Sequence, residues 1–330
     1  MIQVIIPVYN GFELLQKAVI AVRQNTHVDY ELIIADDHSP DSRVLKWCKK
    51  EKIKVVQNGS GTQGFPHNCN WAAKQSDSEF ICLLNSDTEV MSGWLGAMKD
   101  EMYEPSVGIV GAKLIYPMEK GDPWGGTIQH AGVARNGRGM PYHIYRGLSP
   151  RARCVNVPTE CNAVTFACVL IRRQLWDELG GLDERYVGGQ FEDVDFAWRS
   201  RERGWRVVYT PRAAAFHLEH GAGVEFVLQT EKKNAALLLE RFGKLPSDEH
   251  LFQGDSLKPL WDKIDDMAAL CHYWRGQHIK WVADRERAPD NLGHCRRLAA
   301  LPFKDLPEVE KEYARAMARN ILRNQGKMLG

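Results

Sequence analysis

Several apolar runs of this chain end in residues that can hold a ligand. IQVIIPV runs out into Tyr9 and Asn10, with Pro7 at the exit; ELIIA is followed by Asp36 and Asp37; FICLL is followed by Asn85, Ser86 and Asp87. In open α/β sheets ligands sit in the crevice beyond the carboxyl ends of the strands. Any one of these clusters is explained as a helix N-cap or a turn former. Three of them at strand ends point to one polar pocket.

Two further groups stand apart. Glu192, Asp193 and Asp195 crowd the head of a helical pattern in FEDVDFAWRSRERGW. An acidic first turn favours the helix dipole, but three carboxylates within four residues exceed what capping needs. His217 and His220 form HLEH, with no third ligand at a recognisable spacing and no HExxH, so a zinc site is not expected. The segment Gly59-Ser60-Gly61-Thr62-Gln63-Gly64 fits GxGxxG. It follows the third apparent strand rather than the first, Pro66 comes soon after, and no acidic strand end follows at an offset of about 20 residues. A dehydrogenase is not the reading.

These residues need a frame, and the first half of the chain supplies one. Strand patterns at 2–8, 31–35, 53–57 and 79–84 alternate with helical spacing over 12–25, 41–51 and 66–76, and a helix near 92–104 precedes a strand over 107–116. Strands separated by helices indicate βαβ units and a mostly parallel sheet covered on both faces. The Gly-, Pro- and aromatic-rich stretch from there to about 153 has no steady period and reads as a binding loop. It carries Asp122, Trp124, His130, His143 and Arg146, of which His130 is the strongest candidate for a contact. Regular structure returns over 163–173, a helix stops at Gly180 and Gly181, and RVVYTP (206–211) reads as a strand closed by its proline.

Length and composition narrow the class. The 330 residues suit one large domain or two ordinary ones, with a hydrophobic fraction of 44% and a charged fraction of 26%. A formal net charge of +1 gives no global pull toward nucleic acid or anionic membrane. The eight cysteines include no CxxC pair, which argues against a disulfide framework or zinc. No stretch approaches the ~20 apolar residues of a membrane-spanning helix, and the N-terminus has no signal-peptide pattern. The expected localisation is cytoplasmic.

In order along the chain, IIPVYNG, ELIIADDHSPD, GFPHNCNWAA and FICLLNSDTEV resemble the family 2 glycosyltransferases of the GT-A fold, in particular a rhamnosyltransferase-like branch. The resemblance continues through TIQHAGV, AVTFACVLIRRQLWDELGGLDERY, FEDVDFAWRSRERGW and VVYTPRAAAFH, and it ends near residue 225.

That resemblance implies roles. Asp37 stands at the family's base-binding aspartate, Tyr9 would stack on the base and Pro7 shape the strand exit, with Asn10 and Asp36 in the same pocket. Because guanine offers N–H donors as uracil does, UDP-, dTDP- and GDP-sugars all stay open as donors. Asn85-Ser86-Asp87 stands at the DxD-type position, with asparagine for the first acid. Mn²⁺ or Mg²⁺ would neutralise the diphosphate there, Asp87 being the direct ligand and His217 completing the site. An imidazole ligand tilts the choice toward Mn²⁺. Asp193 matches the family's general base, Glu192 is second choice, and Asp195 orients neighbours.

The expected protein is an α/β enzyme with a GT-A (Rossmann-like) mixed, mostly parallel sheet flanked by helices. The catalytic domain spans 1–226 and a C-terminal helical extension spans 227–330. Its reaction is inverting, metal-dependent transfer of a hexosyl or deoxyhexosyl group to an acceptor hydroxyl. A nucleotidyltransferase of similar fold and a non-catalytic nucleotide-sugar-binding subunit are the alternatives. Arg296, Arg297, Arg315, Arg319 and Arg323 make the tail locally basic. A solvated helical face explains them more simply than contact with a peripheral membrane, a partner or a polyanion.

Overall fold

The computed structural model describes residues 1–59, 64–118, 124–219, 224–243 and 245–247, together with Lys311; for 224–229 it describes the backbone alone. Two compact units divide the chain, Met1–Lys120 with Gly125–Glu249 and Gly121–Trp124 with His250–Gly330. The geometry below belongs to the first.

Strands β1 (Ile2–Val8), β2 (Tyr30–Asp36), β3 (Lys54–Val56) and β4 (Phe80–Leu84) are joined by helices α1 (Phe12–Asn25), α2 (Arg43–Lys50) and α3 (Phe65–Ala73). They lie parallel in the order β3-β2-β1-β4. Every residue of β1 and β4 is buried, as strands covered on both faces require. Helix α1 buries Leu15, Ala18, Val19 and Val22, the 3–4 spacing of an amphipathic stripe turned to the core.

The second half adds β5 (Thr88–Val90), α4 (Trp94–Glu101), β6 (Val107–Ile115), β7 (Ile128–His130), β8 (Val133–Arg135), β9 (Pro141–His143), β10 (Thr159–Glu160) and β11 (Cys168–Arg172). They are followed by α5 (Arg173–Leu179), α6 (Glu192–Glu202), β12 (Arg206–His217) and α7 (Val224–Phe242). Antiparallel β11 sits between β4 and β6, and β12 runs parallel to β6, so the sheet is mixed but mostly parallel. This is the expected GT-A architecture. Among the described residues no helix is long and apolar enough to cross a membrane.

Two local expectations are corrected. Pro211 does not close its strand: β12 continues to His217, and the pairing steps from Thr210 opposite Ala112 to Ala214 opposite Lys113. Pro211, Arg212 and Ala213 are looped out, a place where a residue without an N–H costs no ladder bond. The central segment is also packed rather than a free loop. Ile128, Gln129, His130, Ala131, Val133, Ala134 and Arg135 are all buried, and β7 pairs with β6. Beyond residue 247 the expected C-terminal helical extension, with its tail arginines, lies outside the described residues apart from Lys311. The expected boundary at 226/227 falls inside α7.

Candidate active site

Because β2, β1 and β4 are parallel neighbours, their carboxyl ends share one edge, with Val8 opposite Asp36 and Ile5 opposite Leu83. The three clusters read from sequence are thereby brought together. Asp36 is fully buried and accepts from Gln57 Nε2 at 2.7 Å and the Ser39 N–H at 3.3 Å. Asn10, at φ 59°, donates its N–H to Ser39 Oγ at 2.8 Å and accepts from the Asp41 N–H at 3.3 Å. Those two side chains, with buried Pro7, shape the loops. Asp37 accepts the Gly64 N–H at 2.9 Å at the start of α3, where Gly64 needs φ 129°. Burial pushes its carboxyl above the usual range, against the lowering effect of that N–H and of His38. Tyr9 is 55% exposed, so its ring is open to a flat ligand.

At the other end of this edge, the second half of β12 pairs antiparallel with β5, His217 opposite Thr88. That register sets His217 Nε2 at 3.2 Å from Asp87 Oδ1 and 3.3 Å from Asn85 Nδ2. Gln129, 2% exposed, fixes the ring. Its Nε2 donates to the His217 carbonyl at 3.1 Å, so its Oε1 is the atom 2.7 Å from His217 Nδ1. Nδ1 therefore carries a proton, and Nε2 is the ring atom that faces Asp87. Two lone pairs at that distance repel unless a positive charge serves both, either a proton on Nε2 or a cation between them. Burial alone would raise the Asp87 carboxyl, but the His217 ring, by hydrogen bond and charge, brings it below the usual range.

The donor set fits a hard or borderline divalent cation, one carboxylate and one imidazole held in a single tautomer by an outer-shell amide. Among the described residues no three His, Cys, Asp or Glu side chains converge. Two protein ligands would suit an ion shared with phosphate oxygens and water, as Mg²⁺ and Mn²⁺ are on diphosphates.

Helix α6 opens directly on the acidic cluster, its N-cap Phe191 at φ 69°. Asp195 is fully buried and bonded to Arg199 at 2.6 Å, Arg241 at 2.6 Å and the Tyr186 hydroxyl at 3.3 Å. It holds helices together. Glu192 is 4% exposed, and its Oε2 has no hydrogen-bond partner among the described residues. Burial, then the Asp193 charge, raises its carboxyl well above the usual range. Asp193 keeps partial exposure and accepts the Val194 N–H at 2.7 Å. Burial pushes it up to about 6, against hydrogen bonds from the Val194 and Phe166 N–H groups and the Thr165 side chain. The same 165–167 segment takes the Asn85 N–H on the Ala167 carbonyl at 2.9 Å, linking the base candidate to the Asp87 loop. Burial and then the charges of Glu192 and Asp37 raise the Cys69 thiol, so α3 lies within electrostatic reach of both acidic groups.

Sequence reasoning missed Gln129, whose neighbour His130 drew the attention. His130 is fully buried and its Nε2 lies 3.3 Å from the Gly132 N–H and 3.4 Å from the Thr165 N–H, so its proton sits on Nδ1, 2.8 Å from His143 Nδ1. Burial holds it neutral, and its part is internal. Arg146, one of the central-segment candidates, joins Tyr116 and Glu219, which sequence reasoning missed, Glu219 accepting from both partners two residues after His217. Burial works against the Glu219 charge, yet Arg146 and Tyr116 hold its carboxyl down at about 2. His220 and Asp122 lie outside the described residues.

The family model for glycosyl transferase family 2 matches residues 3–180, more than half of the chain. The chain belongs to glycosyltransferase family 2. An uncharacterized Sinorhizobium fredii protein, y4gI, is 32% identical over 230 residues, 66% of this chain and 24% of that protein. The O-antigen biosynthesis protein RfbC of Myxococcus xanthus is 32% identical over 232 residues, 66% of this chain and 17% of its own length. The chain thus spans a quarter or less of these two relatives. Among solved structures, GalNAc-T7 with UDP, GalNAc and Mn²⁺ shares the fold at a TM-score of 0.55 and 18% identity, over 73% of this chain and 47% of that one.

Proposed function

We propose that this family 2 chain transfers a hexosyl or deoxyhexosyl group from a nucleoside diphosphate sugar to an acceptor hydroxyl, with inversion at the anomeric carbon. The observation that carries the reading is the Asp87–His217 pair, its imidazole held by Gln129 with Nε2 facing a carboxylate oxygen at 3.2 Å. Asp37 accepts an N–H of the base and Tyr9 offers its exposed ring for stacking. A Mn²⁺ or Mg²⁺ ion on Asp87 and His217 would neutralise the diphosphate as it departs; the GalNAc-T7 structure that shares this fold carries UDP and Mn²⁺.

Asp193 takes the proton of the acceptor hydroxyl, and the acceptor oxygen bonds to the anomeric carbon on the face away from the diphosphate. The bond from that carbon to the β-phosphate oxygen breaks, and its electron pair leaves with the nucleoside diphosphate. A carboxylate raised to about 6 suits this task, ionised at neutral pH yet a stronger base than an ordinary aspartate. The rhamnosyltransferase-like motifs make a dTDP-deoxyhexose the first donor to try, and nucleotide-sugar use goes with a cytoplasmic placement.

The test is a thermal-shift screen of UDP-, dTDP- and GDP-sugars with Mn²⁺, followed by product analysis with the stabilising donor. Release of nucleoside diphosphate and a product of inverted configuration are expected. Pyrophosphate release, or a product that keeps the donor's configuration, would overturn the reading.

A further inference from the structure

Helix α7 lies beyond the segment matched by the family model, yet its described part is fastened around the acidic helix at three points. Asn234 is fully buried and directs its amide at the main chain of the loop entering α6. Its Nδ2 donates to the Val187 carbonyl at 2.7 Å and the Gln190 carbonyl at 3.1 Å, and its Oδ1 accepts the Val187 N–H at 3.3 Å. Two turns on, Arg241 reaches buried Asp195 at 2.6 Å. At the end of the helix the buried Arg135 guanidinium donates to the Phe242 and Gly243 carbonyls at 3.0 and 3.2 Å. The Phe242 ring packs edge-on against Trp198 of α6, centroids 5.3 Å apart.

The loop so gripped has little to hold it by itself. Gly188 (φ 82°), Gly189 (φ 71°) and Phe191 (φ 69°) are all left-handed, and Glu192 and Asp193 follow at once. Glycines have the most backbone freedom to lose, and a bulky residue at positive φ stays there only when its surroundings insist. We propose that Asn234 and Arg241 are positioning residues for transfer: they hold loop 187–191 and the first turn of α6 in the shape that aims Asp193 at the acceptor oxygen. The inference rests on Asp193 acting as the base, where a displacement of about 1 Å costs on the order of 10²-fold in rate.

The experiment uses the full chain with water as acceptor, reading nucleoside diphosphate release from whichever of UDP-glucose, dTDP-rhamnose and GDP-mannose it hydrolyses fastest. Asn234→Ala and Arg241→Met should lower kcat by about 10- to 100-fold while calorimetric donor affinity stays within about twofold, and Arg241→Lys should recover most of the rate. Arg241→Met leaves Asp195 bonded to Arg199 and Tyr186, so it keeps a folded comparison available. In hydrogen exchange, the amides of 187–193 should open faster in both variants while β1 and β4 stay protected. Wild-type kcat, equal loss of kcat and donor affinity, or unchanged exchange at 187–193 would each overturn the inference. Asp193→Asn run alongside separates the two readings. If it too turns over normally the base assignment has failed; if it alone is slow, only the positioning role has.

Discussion

Gln129 grips His217 twice, accepting the ring Nδ1 proton at 2.7 Å and donating to the main-chain carbonyl of the same residue at 3.1 Å. The double contact leaves the amide one orientation and the imidazole one tautomer. A residue of the short strand β7 thus decides which ring nitrogen faces Asp87.

Gln129→Leu should therefore weaken divalent-cation binding by about 10- to 100-fold, the usual effect of losing an outer-shell partner of a metal-bound histidine. Titration of Mn²⁺ in the presence of UDP, followed by electron paramagnetic resonance, measures it. Unchanged affinity would show that the amide has no part in orienting the ring.

Turnover should depend on the cation itself. Chelator should abolish nucleoside diphosphate release and Mn²⁺ or Mg²⁺ restore it, while Asp87→Ala should stay inactive at ordinary metal concentrations. Full activity in chelator is the result that removes the metal from the mechanism.

Asp37 should set donor affinity. Loss of a charge-assisted hydrogen bond to the base is worth roughly 1.5–3 kcal/mol, so calorimetry of Asp37→Ala should show nucleotide binding weaker by about one to two orders of magnitude. A variant that binds its nucleotide as tightly as the wild type contradicts the assignment.

The raised Asp193 carboxyl makes two linked forecasts with opposite signs. As base it must be ionised, so kcat should rise with pH through about 6, and Asp193→Asn should lose roughly 10²–10⁴-fold at pH 7. For stability, a carboxyl raised in the fold binds its proton more tightly folded than unfolded. Its favourable contribution is complete below the ordinary aspartate range and is lost as pH climbs through about 6. Asp193→Asn should accordingly melt higher than wild type at pH 8, and the gap should close by pH 4. Thermal melts at both pH values decide it; a variant less stable at pH 8 than at pH 4, relative to wild type, reverses the sign.

The parallel half of the sheet was legible because β1 and β4 are short apolar runs whose polar exits announce their ends. Asp37 and Asp87 could be found that way, and His217 through its motif. Gln129 could not, since its value comes from β7 pairing beside β6, and the Gly-rich stretch around it has no period to betray a three-residue strand. Pro211 misled for a related reason: proline forbids a ladder bond at one position, and only the neighbouring strand shows that the chain bulges there and resumes. Asn234 was invisible because its partners are main-chain atoms more than 40 residues away.

That bulge leaves an imprint on how such a gene can drift. Pro211, Arg212 and Ala213 stand outside the ladder, and of the three only Ala213 is fixed by full burial in the core. Beyond it Ala214 to Phe216 pair with β6 and Ala215 to His217 pair with β5, and side chains alternate between faces. One codon gained or lost in that short stretch would turn the imidazole to the opposite side of the strand, away from Asp87, without disturbing a single core residue before it. Length, more than lettering, is what heredity must keep there.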